Sequence, residues 1–424
     1  MQRITKELIY MGARRRNKIE FLVRALSSVK AERDNANKLN DQDHIRDVKV
    51  KSNIIHEKPG NIENVKVVEH KRFEDSSVLF HNVEDKGLII LNRPKSLNVL
   101  NTVMCGRMIN ILKEWESSKK LVIIKGSGDR AFCCGGDLNI MKSVQPENAT
   151  LPGIFFNTAY KLYHLVGTYK IPIVAFMNNI TMGGGAGISI HNKYRVVTER
   201  SIFAMPEATI GFFPDGGCTY VFPRLQGQLG LFLGLTGYRL KGIDIIYSGI
   251  ATHYILAERL QDLEQELLSC DSMNIDEILE KYRANTDGLE FSLAPYMDKI
   301  NTYFSADSVE EIIGRLQNDG SEWSRKIIKT LEKMSPASLK ITHRALREGK
   351  ELRFDDCIKM EYRLARSLIN TYSDFYEGFK IIIEEKGRTP NWQQKSLREV
   401  TPDDVLKRFV SLSPELELKL EDKS

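Results

Sequence analysis

Two glycine-rich turns, Phe132-Cys-Cys-Gly-Gly-Asp137 and Met182-Gly-Gly-Gly185, constrain the fold of this chain more than any other feature. An apolar run short enough to be a buried strand comes before each, residues 121–125 before the first and 173–177 before the second. A segment that can be helical follows each. A strand that turns sharply into a helix leaves the first helical N–H groups without intrahelical partners, and glycine lets a ligand approach them closely. Two such groups converging on one point make an oxyanion hole, and the helix dipole adds to the field. That is equipment for stabilising negative charge on a thioester or ester carbonyl oxygen.

A short acidic cassette follows, from Pro206-Glu207 to Pro214-Asp215. Each part has a plain reading when taken singly. A glycine triplet is a flexible turn or a close strand–helix contact, Pro206-Glu207 opens a helix, and Asp215 ahead of Gly216-Gly217 is a turn residue. The order and spacing of all three together point to an active site.

Around these turns lie Leu91-Asn-Arg-Pro-Lys-Ser-Leu-Asn-Val-Leu100, Phe203-Ala-Met-Pro-Glu-Ala-Thr-Ile-Gly-Phe-Phe-Pro-Asp215 and Leu235-Thr-Gly-Tyr-Arg-Leu-Lys-Gly242. Further on come Ser335-Pro-Ala-Ser-Leu-Lys340, Met360-Glu-Tyr-Arg-Leu364 and Phe375-Tyr-Glu-Gly378. From about Val78 to about Leu412 the chain resembles the crotonase (enoyl-CoA hydratase/isomerase) superfamily, and within it the 3-hydroxyisobutyryl-CoA hydrolase branch. The glycine turns are shared across the superfamily, whereas the Glu207 to Asp215 cassette and Met360-Glu-Tyr-Arg363 are typical of the branch.

The resemblance implies an α/β fold with a crotonase-like ββα spiral core over residues 75–285 and a helical C-terminal region over 286–424. It also implies that the backbone N–H groups of Cys134 and Gly184 form the oxyanion hole. Lys95, Leu97, Gly135, Gly136, Asp137, Gly183 and Gly184 would contact the substrate and its CoA. Glu207 matches the catalytic glutamate of the family, as nucleophile or as the base that activates water. Hydratases carry a second glutamate two positions after the glycine triplet, where this chain has Gly187. Asp215 stands where hydratases have glycine and hydrolases an aspartate, and it would bind the substrate hydroxyl or position water. One position departs from the branch: its Phe-Phe-x-x-Glu-Tyr segment reads Phe155-Phe-Asn-Thr-Ala159-Tyr160 here. Ala159 can neither accept a hydrogen bond nor carry charge.

The activity implied is hydrolysis of 3-hydroxyisobutyryl-CoA to 3-hydroxyisobutyrate and CoA, in valine catabolism. An enoyl-CoA isomerase or hydratase is the competing enzyme, for which Glu207 would suffice as proton shuttle while Asp215 had no role. A non-catalytic place in the small subunit of mitochondrial ribosomes is the alternative of another class. No cofactor is expected, because coenzyme A belongs to the substrate.

The remaining sequence sets the context. No apolar stretch approaches the ~18 residues of a membrane span, so a soluble globular protein without a membrane partner is expected. The net charge is +5, and residues 1–60 hold fourteen Lys/Arg against eight Asp/Glu, leaving about −1 for the rest. A nucleic-acid-binding body is therefore not indicated. The Arg-rich start reads as a mitochondrial presequence, with a matrix location, or else as a solvated extension, and residues 31–61 as a linker or poorly ordered tail. Six cysteines without C-x-x-C spacing fit a reduced compartment, and neither a catalytic thiol nor a metal cluster is expected. His191 and His253 read as surface or satisfied histidines. A hairpin is expected at 78–80 and 87–91, a helix at 103–116, strands at 121–124, 173–176, 195–197 and 202–204, and mainly helices beyond 229. The oligomeric state is open.

Overall fold

The structure, a computed structural model, describes residues 76–144, 150–270 and 274–421. The basic extension expected at 1–60 lies outside the described residues. The chain opens on the expected antiparallel hairpin of β1 (Val78–Val83) and β2 (Lys86–Leu91). Strands then alternate between two sheets. β3 (Leu121–Gly126), β5 (Ile173–Phe176), β7 (Tyr194–Val197) and β10 (His253–Tyr254) extend the hairpin in parallel into a six-stranded sheet. β4 (Ala131–Cys133), β6 (Ile180–Met182) and β8 (Ile202–Ala204) run parallel in a second sheet, which the antiparallel β9 (Leu240–Lys241) completes.

Each pass of the chain thus lays one strand in each sheet, which generates a spiral. The strands are short and buried along most of their length, as parallel strands with both faces covered must be. The runs at 121–125 and 173–177 are strands, but β4 and β6, three residues each, intervene between them and the glycine turns. Those two strands are too short to leave a periodic signal in the sequence.

Helix α1 (Thr102–Trp115) starts where the Asn101 side chain accepts from the Met104 N–H, and it buries Met104, Cys105, Met108, Leu112 and Trp115. Helix α2 (Thr150–Gly167) packs against α1 and buries a stripe that includes Phe155, Phe156, Ala159, Tyr160 and Tyr163. Helices predominate after Leu229, as expected. They do not form a core of their own. One apolar cluster joins β2, α1 and α2 to Ile358, Phe375 and Leu418, and a second joins Ala175 and Phe203 to Leu235, Phe304 and Leu346. Burial in these shared clusters fixes the C-terminal helices against the spiral. No helix among the described residues is long and apolar enough to cross a membrane.

Candidate active site

The two glycine turns and the acidic cassette meet at one place. Gly135 and Gly183 take φ of +103° and +50°, a region that favours glycine. A Cβ built on Gly183 would stand 3.1 Å from Glu207 Oε1 and 3.2 Å from the Gly135 Cα. The Glu207 carboxylate therefore lies against both turns. Gly184 begins the short helix α3 (Gly184–Gly187), so its N–H has no carbonyl of that helix to bond.

Glu207 is 8% exposed, and its Oε2 has no hydrogen-bond partner. Burial first, and the Asp215 charge second, push its carboxyl well above the usual carboxylate range. An orphaned buried carboxylate oxygen beside a glycine turn is an expensive arrangement for stability alone, and such groups cluster at functional sites. Asp215 is also buried. Its Oδ2 accepts a 2.9 Å hydrogen bond from the Tyr160 hydroxyl, and burial raises its pKa to about 7.

The turn after Asp215 is held from two sides. Gly216 and Gly217 take φ of +67° and +85°. Behind them His191 Nε2 donates to the Gly216 carbonyl at 2.7 Å, and burial lowers its pKa to about 4, so the ring is neutral. On the other side is Glu361, from helix α4 (Phe354–Leu368), fully buried. Its Oε2 accepts from the Gly217 N–H at 2.7 Å, and its Oε1 from the Thr219 N–H at 2.9 Å and the Thr219 hydroxyl at 2.7 Å. His191 is satisfied, as the sequence suggested. His253 Nδ1 likewise meets the Thr252 hydroxyl at 2.8 Å.

One position differs from what the resemblance implies. The Cys134 N–H is not a free donor, since it bonds the Leu97 carbonyl at 3.0 Å. The cause is local. Leu97 and Asn98 both take a left-handed conformation, with φ of 53° and 55°, and Asn98 Nδ2 pins the turn to the Ser127 and Ala131 carbonyls at 2.9 Å each. Leu97 thus meets the site through its carbonyl, its side chain being buried. The Asp137 carboxylate pairs with Arg93 at 2.9 Å and accepts from the Asn139 N–H, which braces the turn. Lys95 is exposed on a short 3₁₀ turn ahead of Leu97. Gly136 lies under Phe155, whose Cζ is 2.9 Å from where a Cβ would be.

Sequence reasoning gave no role to Tyr160, Tyr163 or Glu361. Glu361 sits inside a motif already singled out, Met360-Glu-Tyr-Arg363, and Tyr160 directly follows the divergent Ala159. Tyr163 carried no signal at all. Its ring carbons lie 2.7 Å from the point a Gly187 Cβ would reach. The space into which a second acid at 187 would project is therefore filled by an aromatic ring.

The thiol of Cys134 is held to about 12 by burial, although Arg239 and Arg130 pull the other way. A group almost wholly protonated at neutral pH is a poor nucleophile. Cys134→Ala keeps the peptide N–H and removes only sulfur, so kcat should remain within about two-fold of wild type. A dead yet normally stable Cys134→Ala would restore the thiol as nucleophile.

Comparison with known proteins follows the same lines. The family model for enoyl-CoA hydratase/isomerase matches residues 86–409. The chain is 45% identical over 334 residues to the mitochondrial 3-hydroxyisobutyryl-CoA hydrolase of Homo sapiens, covering 77% of this chain and 86% of that protein. It is 44% identical over 353 residues to the protein of the same name from Danio rerio, covering 81% and 92%. Among solved structures it resembles a carnitinyl-CoA dehydratase from Mycobacterium thermoresistibile, with a TM-score of 0.76 and 30% identity over 82% of this chain and 100% of that one. The chain belongs to the enoyl-CoA hydratase/isomerase, or crotonase, family.

Proposed function

We propose that the protein hydrolyses 3-hydroxyisobutyryl-CoA to 3-hydroxyisobutyrate and free CoA, the thioester step of valine catabolism, in the mitochondrial matrix. The observation that carries this reading is the buried Glu207 carboxylate, orphaned at Oε2 and set against Gly183 and Gly135. The names of the hydrolase relatives and the Arg-rich start of the chain support the substrate and the location.

A thioester carbonyl laid against Gly184 would present its carbon to Glu207. Ionised Glu207 either attacks that carbon or takes a proton from a water that does. In the first route the C–S bond breaks to release CoA thiolate, and water then cleaves the acyl–glutamyl anhydride. In the second, water adds directly and CoA leaves from the tetrahedral intermediate. Both routes consume one water and yield a carboxylate and a thiol. Gly184 stabilises the developing oxyanion in either. Hydration of a double bond calls for a second acid at position 187, where Tyr163 fills the space. Glu207 itself supplies the nucleophile or base, so the reaction needs no cofactor beyond the CoA of the substrate.

A panel of acyl-CoA esters assayed for thiol release tests this reading, with 3-hydroxyisobutyryl-CoA expected to give the highest kcat/KM. Hydration of crotonyl-CoA without thiol release would overturn it. Within the same panel Asp215→Asn separates recognition from chemistry. If Asp215 binds the 3-hydroxyl, the substitution should lower kcat/KM for the hydroxylated substrate by about ten- to a hundred-fold more than for isobutyryl-CoA, the loss expected of one charge-assisted hydrogen bond. Equal losses would assign Asp215 to chemistry.

A further inference from the structure

The segments Ser335-Pro-Ala-Ser-Leu-Lys340 and Phe375-Tyr-Glu-Gly378 lie far beyond Glu207 in the sequence, yet both meet the backbone that carries it. Glu207 opens a short 3₁₀ turn, Glu207–Ile210, which ends at Gly211 with φ of +71°. The Ala208 carbonyl accepts from the Ser335 N–H at 3.2 Å. The Ile210 carbonyl stands 2.1 Å from where a Gly378 Cβ would be, and a Cβ on Gly211 would fall 2.2 Å from the Asp374 carbonyl. A side chain at either glycine would push the segments apart. Alongside, Phe375 packs against Phe212 with ring centroids 4.5 Å apart.

Asp374 ties these contacts together. It opens helix α5 (Asp374–Phe379) and is buried. Its Oδ2 accepts from the Ser335 hydroxyl at 2.5 Å, and its Oδ1 from the Gln393 N–H at 2.8 Å. Glu377 fixes the segment that supplies Gln393, accepting from the Asn391 N–H at 2.6 Å and pairing with Arg388 at 2.8 Å. Ser335, also buried, caps the helix Pro336–Gly349 by accepting from the Ser338 N–H at 3.0 Å. That cap uses an oxygen lone pair and does not call for a carboxylate behind it. What the carboxylate adds is a charge-assisted bond that fixes Ser335 in place, and the Ser335 N–H holds the residue next to Glu207.

We propose that Asp374 is a positioning residue for Glu207: through Ser335 and the Ala208 carbonyl it holds the turn that sets the Glu207 carboxylate against Gly183. It acts through the backbone and not on the substrate. The proposal rests on the thioesterase reading above, and its test separates the two.

Asp374→Ala removes both acceptor oxygens and releases the Ser335 hydroxyl. A displacement of about 1 Å at a reacting group can lower turnover by about 10²-fold, so kcat of the folded variant should fall about ten- to a hundred-fold for 3-hydroxyisobutyryl-CoA and isobutyryl-CoA alike. KM should stay within about two-fold of wild type, because the glycine turns are untouched. The deciding comparison is made in Glu207→Gln, where no carboxylate is left to misplace. Adding Asp374→Ala there should lower the residual kcat by less than about two-fold. Equal fold losses in the two backgrounds overturn the proposal, since general loosening of the fold would produce them. Should Asp374→Ala fail to fold, Ser335→Ala keeps the N–H that meets Ala208 and removes only the hydroxyl that Asp374 holds. It should show the same loss of kcat and the same indifference in Glu207→Gln. An active wild type with unimpaired kcat in either folded variant overturns the role of Asp374 alone. A wild type that releases thiol from neither ester overturns the thioesterase reading and the proposal with it.

Discussion

Glu207→Gln should lower kcat by at least about 10² to 10³, the loss expected when a general base or nucleophile is removed, while the protein stays folded. The amide is isosteric with the carboxyl but can neither attack a thioester nor take a proton from water. Wild-type turnover in a folded Glu207→Gln protein would remove Glu207 from the chemistry. The wild-type pH profile should carry the same signature. Glu207 is active only when ionised, and burial together with Asp215 holds its pKa well above 4.5. The acid limb of kcat/KM should therefore lie well above the ordinary carboxylate range.

Linkage gives a second, independent readout of the same carboxyl. A folded-state pKa raised above the unfolded value means that the folded protein holds a proton which the unfolded chain has lost. Over that window fewer protons are bound in the unfolded state, so stability falls as pH rises from about 4.5 through the folded-state value. Glu207→Gln removes this contribution. The variant should lose less stability than wild type between pH 5 and 8, measured by thermal unfolding across pH. An equal decline in the two proteins would mean that Glu207 is ionised in the folded protein throughout.

What could be read from the sequence was what local chemistry decides. The hairpin and α1 follow from alternation, periodicity and the Asn101 cap. The glycine turns announce themselves because few other residues take φ of +103° or allow so close an approach. Glu207 was legible through its place in the cassette, and the structure sets it against both turns. What escaped depends on contacts between distant segments. The engagement of the Cys134 N–H follows from a left-handed turn at Leu97 and Asn98, which no glycine marks. Gly187 showed in the sequence that an acid was missing, but only packing reveals that Tyr163, 24 residues earlier, fills the gap.

Glu361 is the clearest case of a long-range determinant, and its removal should have the largest effect on stability. Its two oxygens receive three hydrogen bonds from Gly217 and Thr219, 142 to 144 residues earlier, and hold the turn that follows Asp215. Burial and the nearby Asp215 charge raise its pKa to about 8, while the three donors favour the ionised form. Glu361→Ala leaves all three donors buried and unmet, and should destabilise the protein by about 3–5 kcal/mol. Glu361→Gln keeps one acceptor oxygen but turns an N–H₂ group toward an N–H or hydroxyl donor, so a loss of about 1–3 kcal/mol is expected. Urea unfolding of both variants measures this, and a Glu361→Gln protein within about 0.5 kcal/mol of wild type would show that the network contributes little. Because Glu361 acts through the turn and not on the substrate, the folded fraction of Glu361→Gln should reproduce the substrate pattern of Asp215→Asn. A loss of kcat/KM spread evenly over substrates, where Asp215→Asn discriminates among them, would show that the turn does not set the position of Asp215.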